Sequence, residues 1–446
     1  MKRNLPLSPD TPASDLPNLS YILDLSPSHM TLGLGNIKRL LDVLGNPQRR
    51  FKSVVVAGTN GKGTVTALLS SILTAHGRRT GRLLSPHIYS VAERISVDDR
   101  PVALELIESA ASRVAPLHRE IEFSYFEAIT AIAFLIFAEA GVDTAVLEVG
   151  LGGRFDATNS VDPVLTVLTS ITLDHRRLLG ATEEEIIREK LGITRSGVPL
   201  VCGGLRCALE EIVADKSKRD RFPVLWARDI GQCGVERLTF GSMRVSLRTG
   251  RCDYGELQVR FPGPHQADNV LLAAGAAERL LESAPRLSEG IGRAFLPGRF
   301  EHRLVEGRNI ILDVAHNDTA LTGVLDTLSM LSPPERNWIV LGLMRRKELD
   351  RFPVRAATAA KRIFLVQPPD GDACTPQELL ARIGCHAIQS AGTDIVLVNN
   401  GSSGRPAAPL LRRLISAAPS GGTVLITGSH RMVELFGTIL SEGDLS

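Results

Sequence analysis

The stretch VVVAGTNGKGTVTALLSSIL, residues 54–73, decides how the chain is read. Its apolar run has no polar interruption, as in a parallel strand covered on both faces. A glycine-rich turn follows. Then Val65, Leu68, Leu69, Ile72 and Leu73 recur at the spacing of one helix face, and Gly77 closes the segment. Strand, glycine turn and helix in direct succession make a phosphate cradle, because the turn amides and the helix N-terminus present N–H groups to anionic oxygens. Lys62 is placed to contact terminal phosphates and Thr64 to approach a bound Mg²⁺. The spelling departs from GxxxxGK[ST], since Gly63 separates Lys62 from Thr64. A tight βα turn needing glycine for steric reasons alone would not account for the lysine and threonine that open the helix.

Working outward, DTAVLEVG (143–150) and PVLTVLTSI (163–171) are further continuous apolar runs of the parallel-strand kind. Residues 229–262 differ: polar alternation in ERLTFGSMRVSLRTG and ELQVRF predicts a small antiparallel insertion. A second α/β sheet is expected from Leu296 onward. Its strands would be NIILDVAH, NWIVLGL, RIFLVQ, DIVLVNN and TVLITGS. The expected division is therefore residues 1–295 and 296–446, each an α/β domain. Residues up to Pro17 are rich in Pro and Ser and are expected to be poorly ordered.

Composition sets the class. The chain has 446 residues, too many for one typical core, with 43% hydrophobic and 22% charged residues. A formal net charge of +2 with dispersed Lys and Arg gives no case for a nucleic-acid partner. Cys202, Cys207, Cys233, Cys252, Cys374 and Cys385 form no CxxC pair, which suits reduced thiols in a cytoplasm. The N-terminus carries no apolar core of a signal peptide. The longest apolar run, AITAIAFLIFA from Ala128, is too short to span a bilayer and reads as a buried helix. A soluble, cytoplasmic protein without a membrane partner is expected.

Several residues stand out around the phosphate loop. Glu148 lies near the end of an apolar strand, where a carboxylate is costly unless it is paired or bound to a metal. At a strand's C-terminal end, Mg²⁺ or a salt bridge would both satisfy it. Asp174 and His175 follow the next strand, and Ser85 and His87 occupy a third loop. In GATEEEIIREKLGI, Thr182 and Glu185 spell a capping box, so a helix begins at Glu183. Ile186, Ile187 and Lys190 then share a face, where burial lowers the lysine's pKa. A neutral amine there is able to take up CO₂ as a carbamate, although a lysine snorkelling from a core helix is the simpler physical reading. In the second half, Asp313 and His316 end a strand, and Arg299 lies in the expected linker.

AGTNGKGTV, SPHIYSVAERI, SYFEAITAIAF, LEVGLGGRFDATN, TSITLDH, REKLGI, HQADN, LPGRF, DVAHN and VLITGS follow one another from about residue 20 to 435. In that order they resemble the dihydrofolate synthase/folylpolyglutamate synthase family of the Mur ligase superfamily, whose phosphate loop has this extra glycine. The resemblance implies an N-terminal three-layer P-loop ATPase domain and a smaller C-terminal Rossmann-like α/β domain. It implies that ATP phosphorylates a carboxylate of dihydropteroate or of a reduced folate's glutamate tail. The amine of L-glutamate then attacks the acyl phosphate. It further implies ATP held by Thr59, Asn60, Gly61, Lys62, Gly63 and Thr64, and Mg²⁺ by Ser85, Glu148 and His175. Lys190 would be carbamylated, and Asn269, Arg299 and Asp313 would hold the nucleotide, with His316 at the same edge. Ser124, Tyr125, Phe126, Glu127, Phe155, Asp156 and Ala157 would line the pterin or folate site, and a monomer is expected.

Three departures bear on this. Thr31 stands where the family commonly has an aspartate before LGL, removing a partner for pterin N–H groups. Arg346 and Glu348 flank Lys347 where a DKD-type motif is usual, and AHNDTA lacks the usual proline after AHN. The expectation therefore divides between a bifunctional enzyme, a folylpolyglutamate synthase alone, an enzyme for another pterin-linked carboxylate, and an ATP-binding paralogue without catalysis. A peptidoglycan-type Mur ligase would need a UDP-binding domain ahead of the loop, and only 57 residues precede Gly58.

Overall fold

The computed structural model describes residues 15–25, 33–383, 392–398 and 407–441. Thr31, Cys385, most of the N-terminal stretch and the end of DIVLVNN lie outside them.

The first sheet has eight strands. They are β1 (Lys52–Ala57), β2 (Thr80–Leu83), β3 (Ile95–Val97), β4 (Arg100–Pro101), β5 (Thr144–Glu148), β6 (Leu165–Leu168), β7 (Leu200–Cys202) and β8 (Val224–Trp226). Their order is β4-β3-β2-β5-β1-β6-β7-β8. From β2 to β8 the pairing is parallel, and β3 and β4 add an antiparallel edge. β5 and β6 flank β1 on opposite sides. The loops that leave these strands therefore part around β1, and such a switch point opens a crevice at the strands' C-terminal ends.

The helix Lys62–Ala75 is more deeply buried than its apolar stripe predicts. Thr66, Ser70 and Ser71 are also inaccessible to solvent. The helix Leu287–Arg293 packs against Lys62–Ala75 with Gly290 beside Ile72, and Ser70 Oγ donates to Asp99 Oδ1 at 3.3 Å. The apolar run from Ala128 lies in the helix Tyr125–Glu139, with every residue from Glu127 to Phe137 buried. It packs against β2 on one side and against the helices Pro17–Leu23, Gly35–Val43 and Leu104–Val114. Among the described residues, no helix is long and apolar enough to cross a membrane.

The expected insertion is a three-stranded meander of β9 (Gly231–Leu238), β10 (Met243–Thr249) and β11 (Asp253–Val259), with β10 in the middle. Alternate residues Met243, Val245, Leu247 and Thr249 are buried, as the polar alternation predicts.

The second large sheet contains β12 (Glu301–Val305), β13 (Arg308–Leu312), β14 (Asn337–Leu341), β15 (Arg362–Val366), β16 (Asp394–Val398) and β17 (Thr423–Thr427). Its order is β12-β13-β17-β14-β15-β16. Five of these strands are the ones expected; β12 was not. It pairs antiparallel with β13 through a two-residue turn, Glu306 and Gly307, with φ of 47° and 74°. Positive φ at both positions is the mark of a type I′ hairpin, so the Glu-Gly pair was the available signal.

By compactness the chain forms two units, and they divide differently from 1–295 and 296–446. One holds Met1–Gly234, Ser246–Leu257 and Asp268–Phe295. The other holds Val235–Val245, Gln258–Ala267 and Leu296–Ser446. The meander contributes to both.

Candidate functional site

The loop after β1 is held from three directions. Gly61 has φ of 85°, and a Cβ there would lie 2.3 Å from Asn269 Oδ1, so no side chain fits. Asn269, on the helix His265–Leu280, is itself buried. The segment after β6 supplies the second support. Ser170 O accepts from Thr59 N–H at 2.6 Å, and Thr169 Oγ1 donates to Asn60 O at 2.6 Å. Thr59 Oγ1 accepts from Thr172 N–H at 3.1 Å. Lys190 is the third support, its Nζ donating to Gly58 O at 2.7 Å. Lys62 Nζ donates to Thr59 O at 3.2 Å, which folds the lysine over the loop.

Lys190 is buried at the end of the helix Glu183–Lys190, and Thr182 with Glu185 forms the capping box read from the sequence. Burial is the main cause that brings its pKa down from 10.5 to about 7. The Lys62 cation lowers it further, while Asp174 and Asp156 raise it. Lys62, Lys190, Asp174 and Asp156 therefore share one electrostatic field behind the loop.

Glu148 ends β5 and is 4% exposed. Its Oε2 accepts from Ser85 N–H at 2.9 Å, so those two residues meet at the crevice edge. His175, after β6, has φ of 50°, is exposed, and its Nε2 stands 3.8 Å from Asp174 Oδ1. Among the described residues, no three His, Cys, Asp or Glu side chains converge to hold a metal ion. An all-protein cage is thus absent there. A buried carboxylate beside a phosphate loop still suits Mg²⁺, which takes one or two carboxylates and fills its octahedron with phosphate and water oxygens.

The loop of Ser85 is tied down at its far end. His87 Nδ1 accepts from Arg94 Nε at 2.7 Å, and the Arg94 guanidinium lies 5.3 Å from the centre of the Tyr125 ring. Tyr125 buries a hydroxyl that has no hydrogen-bond partner.

In the second unit, Asp313 is buried, and its carboxylate accepts from Phe300 N–H at 2.7 Å and Ala315 N–H at 2.8 Å. Burial pushes its pKa up, and the Arg299 and His316 charges oppose that. His316 donates Nδ1–H to Val314 O at 2.9 Å. Arg299, Asp313 and His316 are thus one cluster.

Comparisons with known proteins agree with the two-sheet α/β fold. A Mur ligase middle-domain profile matches residues 56–277, and a Mur ligase glutamate ligase domain profile matches 298–430. The dihydrofolate synthase/folylpolyglutamate synthase of Escherichia coli is 32% identical over 420 residues, covering 93% of each chain. The chain belongs to the dihydrofolate synthase/folylpolyglutamate synthase family. The Bacillus subtilis member is 33% identical over 344 residues, covering 74% of this chain and 80% of that one. A structure of Escherichia coli FolC in complex with DHPP and ADP has a TM-score of 0.81 and 27% identity, covering 99% of this chain and 100% of that chain.

Within this family frame, several residues expected to line a pterin site already have structural partners. Ser124 and Glu127 form a reciprocal capping box, and Glu127 Oε1 also accepts from Ile37 N–H at 3.1 Å. Both carboxylate oxygens are therefore engaged by backbone groups. Asp156 closes on its own loop, accepting from Leu151 N–H at 2.9 Å, Thr158 N–H at 3.0 Å and Thr158 Oγ1 at 2.6 Å. Ala157 is buried, Phe126 packs beside Gly150, and Phe155 is 47% exposed with the Arg154 guanidinium 5.9 Å from its ring centre. Sequence reasoning missed Thr169, Ser170, Thr172 and Arg94. A run of hydroxyl residues between a strand and Asp174 was the signal for the first three. Arg346, at the altered DKD position, pairs with Asp372 at 3.0 Å.

Proposed function

We propose that this chain is an ATP-dependent ligase that joins L-glutamate to dihydropteroate, to reduced folate glutamates, or to both. The supporting observation is the phosphate loop braced by Lys190 and Asn269 beside the Glu148–Ser85 edge. In this reading a substrate carboxylate oxygen attacks the γ-phosphorus and ADP leaves, giving an acyl phosphate. The glutamate amine adds to the acyl carbon, and the tetrahedral intermediate expels phosphate and loses a proton to give the amide.

Such chemistry depends on positioning and on neutralising charge at the transferred phosphoryl group. Thr59 through Thr64 cradle the phosphates, with the Thr59 and Asn60 amides tied to Ser170 and the amides from Gly61 onward turned to the anion, and Lys62 supplies a cation. Glu148, Ser85 and His175 are the residues that would hold Mg²⁺, which would supply charge neutralisation at the phosphate oxygens. A Lys190 amine with pKa about 7 is substantially neutral at physiological pH. It is able to attack CO₂, forming an N–C bond and releasing one proton, to give a carbamate anion. Arg299, Asp313 and His316 are read as nucleotide-binding residues, and the protein is read as a cytoplasmic monomer.

The test is glutamate-dependent ADP release with ATP and Mg²⁺, run on dihydropteroate and tetrahydrofolate in parallel. Turnover on both makes the enzyme bifunctional and shows that Thr31 suffices for the first acceptor. Turnover on tetrahydrofolate alone makes it a polyglutamylase. No turnover on either, with ATP still bound, refutes the ligase reading.

A further inference from the structure

The elements that build the phosphate loop have opposite ends, and a cavity of about 340 Å³ opens there. Lys52 at the start of β1, Leu73 in the last turn of the loop helix, Arg78 just beyond that helix, and Arg279 and Leu280 at the end of the helix His265–Leu280 line it. Asp143, immediately before β5, contributes a carboxylate. The loop helix has 14 residues, so this cavity lies about 21 Å from the phosphate cradle. A cavity of this size falls at the lower end of the range for small-molecule sites.

Its charges are unbalanced. Some arginines of the described residues hold a carboxylate within 4 Å, among them Arg82, Arg206, Arg303 and Arg355. Among the described residues, Lys52, Arg78 and Arg279 have no such ion pair with a side-chain carboxylate. The Asp143 carboxylate instead accepts from Arg79 N–H at 2.8 Å. Three cations against one carboxylate leave an excess of two positive charges around one concavity, with Leu73, Leu280, Leu281 and Val164 as apolar wall. Like charges gathered this way repel, and a dianion relieves that repulsion.

We propose that this cavity is a second anion site, separate from the phosphate loop, for a phosphomonoester dianion with a compact apolar body. Lys52, Arg78 and Arg279 hold the phosphoryl oxygens, and the leucines cover the organic part. The site does not depend on the ligase reading.

Phenyl phosphate is the probe, titrated calorimetrically into the full chain, with benzoate as a monoanion of similar body. The wild-type protein and the Lys62→Ala variant are expected to bind phenyl phosphate equally. Arg78→Gln combined with Arg279→Gln is expected to weaken binding at least about tenfold, with an unchanged melting temperature. Benzoate is expected to bind at least about tenfold more weakly than phenyl phosphate. Binding lost in Lys62→Ala and kept in the double variant would place the probe in the phosphate loop and overturn the proposal. No binding to wild type, or equal binding of benzoate, would overturn it as well.

Discussion

Replacing Lys190 with methionine is expected to stabilise the protein at neutral pH and below, and the gain is expected to vanish toward pH 10. Folding lowers the lysine's pKa from 10.5 to about 7, chiefly by burial. Below pH 7 the amine is charged in both states, and the folded protein carries the whole desolvation cost. A shift of this size at about 1.4 kcal/mol per pKa unit is on the order of 5 kcal/mol. Between pH 7 and 10.5 the unfolded chain binds the extra proton, so wild-type stability rises with pH by about 1.4 kcal/mol per unit. Above that window the amine is neutral in both states and the penalty is gone.

Methionine fills nearly the same volume without a charge. It does lose the bond to Gly58 O at 2.7 Å, worth about 1 kcal/mol. The variant should therefore gain on the order of 4 kcal/mol at pH 6, cross wild type near pH 9 to 10, and be slightly weaker beyond. Urea denaturation of both proteins at pH 6, 7, 8, 9 and 10, analysed for the difference in stability, checks this. A difference that does not change with pH would show that Lys190 is not desolvated, and the argument for its neutral amine would fail with it.

Three further outcomes are expected. Glu148→Gln keeps an oxygen acceptor for Ser85 N–H but removes the negative charge; turnover should fall at least about 10²-fold while the melting temperature holds, and undiminished ADP release would remove Glu148 from the site. Gly61→Ala places a methyl 2.3 Å from Asn269 Oδ1 in a left-handed conformation, costing about 1–2 kcal/mol before the clash. ATP affinity measured by calorimetry should drop about tenfold, and adding Asn269→Gly should recover part of it; simple additivity would refute the contact. Glu127→Ala strips acceptors from Ser124 N–H and Ile37 N–H and should cost about 2 kcal/mol, or about 5 °C in melting temperature; an unaltered melting curve would refute the capping role.

What the sequence revealed was local. The phosphate loop, the capping box at Thr182 and the burial of Lys190 all depend on spacings shorter than ten residues, and all three appear in the fold. What it hid depended on distant partners. Part of the loop helix's burial comes from Leu287–Arg293, more than 200 residues away, and no periodicity within 62–75 encodes that partner. Ser124 and Glu127 spell a capping box as plainly as Thr182 and Glu185 do, yet resemblance alone assigned them to a pterin pocket. Asp156 carries a raised pKa from burial while its own loop supplies the opposing hydrogen bonds, which a motif match cannot distinguish from a substrate contact. The hairpin at Glu306–Gly307 was legible, but its strand is short and polar on an edge.

The places where this chain departs from an economical core are its buried ionisable groups. Among the described residues most ion pairs are exposed on at least one side, such as Arg113–Glu139 and Arg248–Asp253, where they cost little and contribute little. Lys190, Glu148 and Asp156 are instead buried at the C-terminal ends of the first sheet, and Asp313 at the end of β13. A methionine at 190 would pack as well, and a glutamine at 148 would still accept from Ser85. Stability alone selects neither charge. For Lys190 the burial and the neighbouring Lys62 cation are met by a pKa brought down to about 7, while Asp156 and Asp313 accept backbone hydrogen bonds.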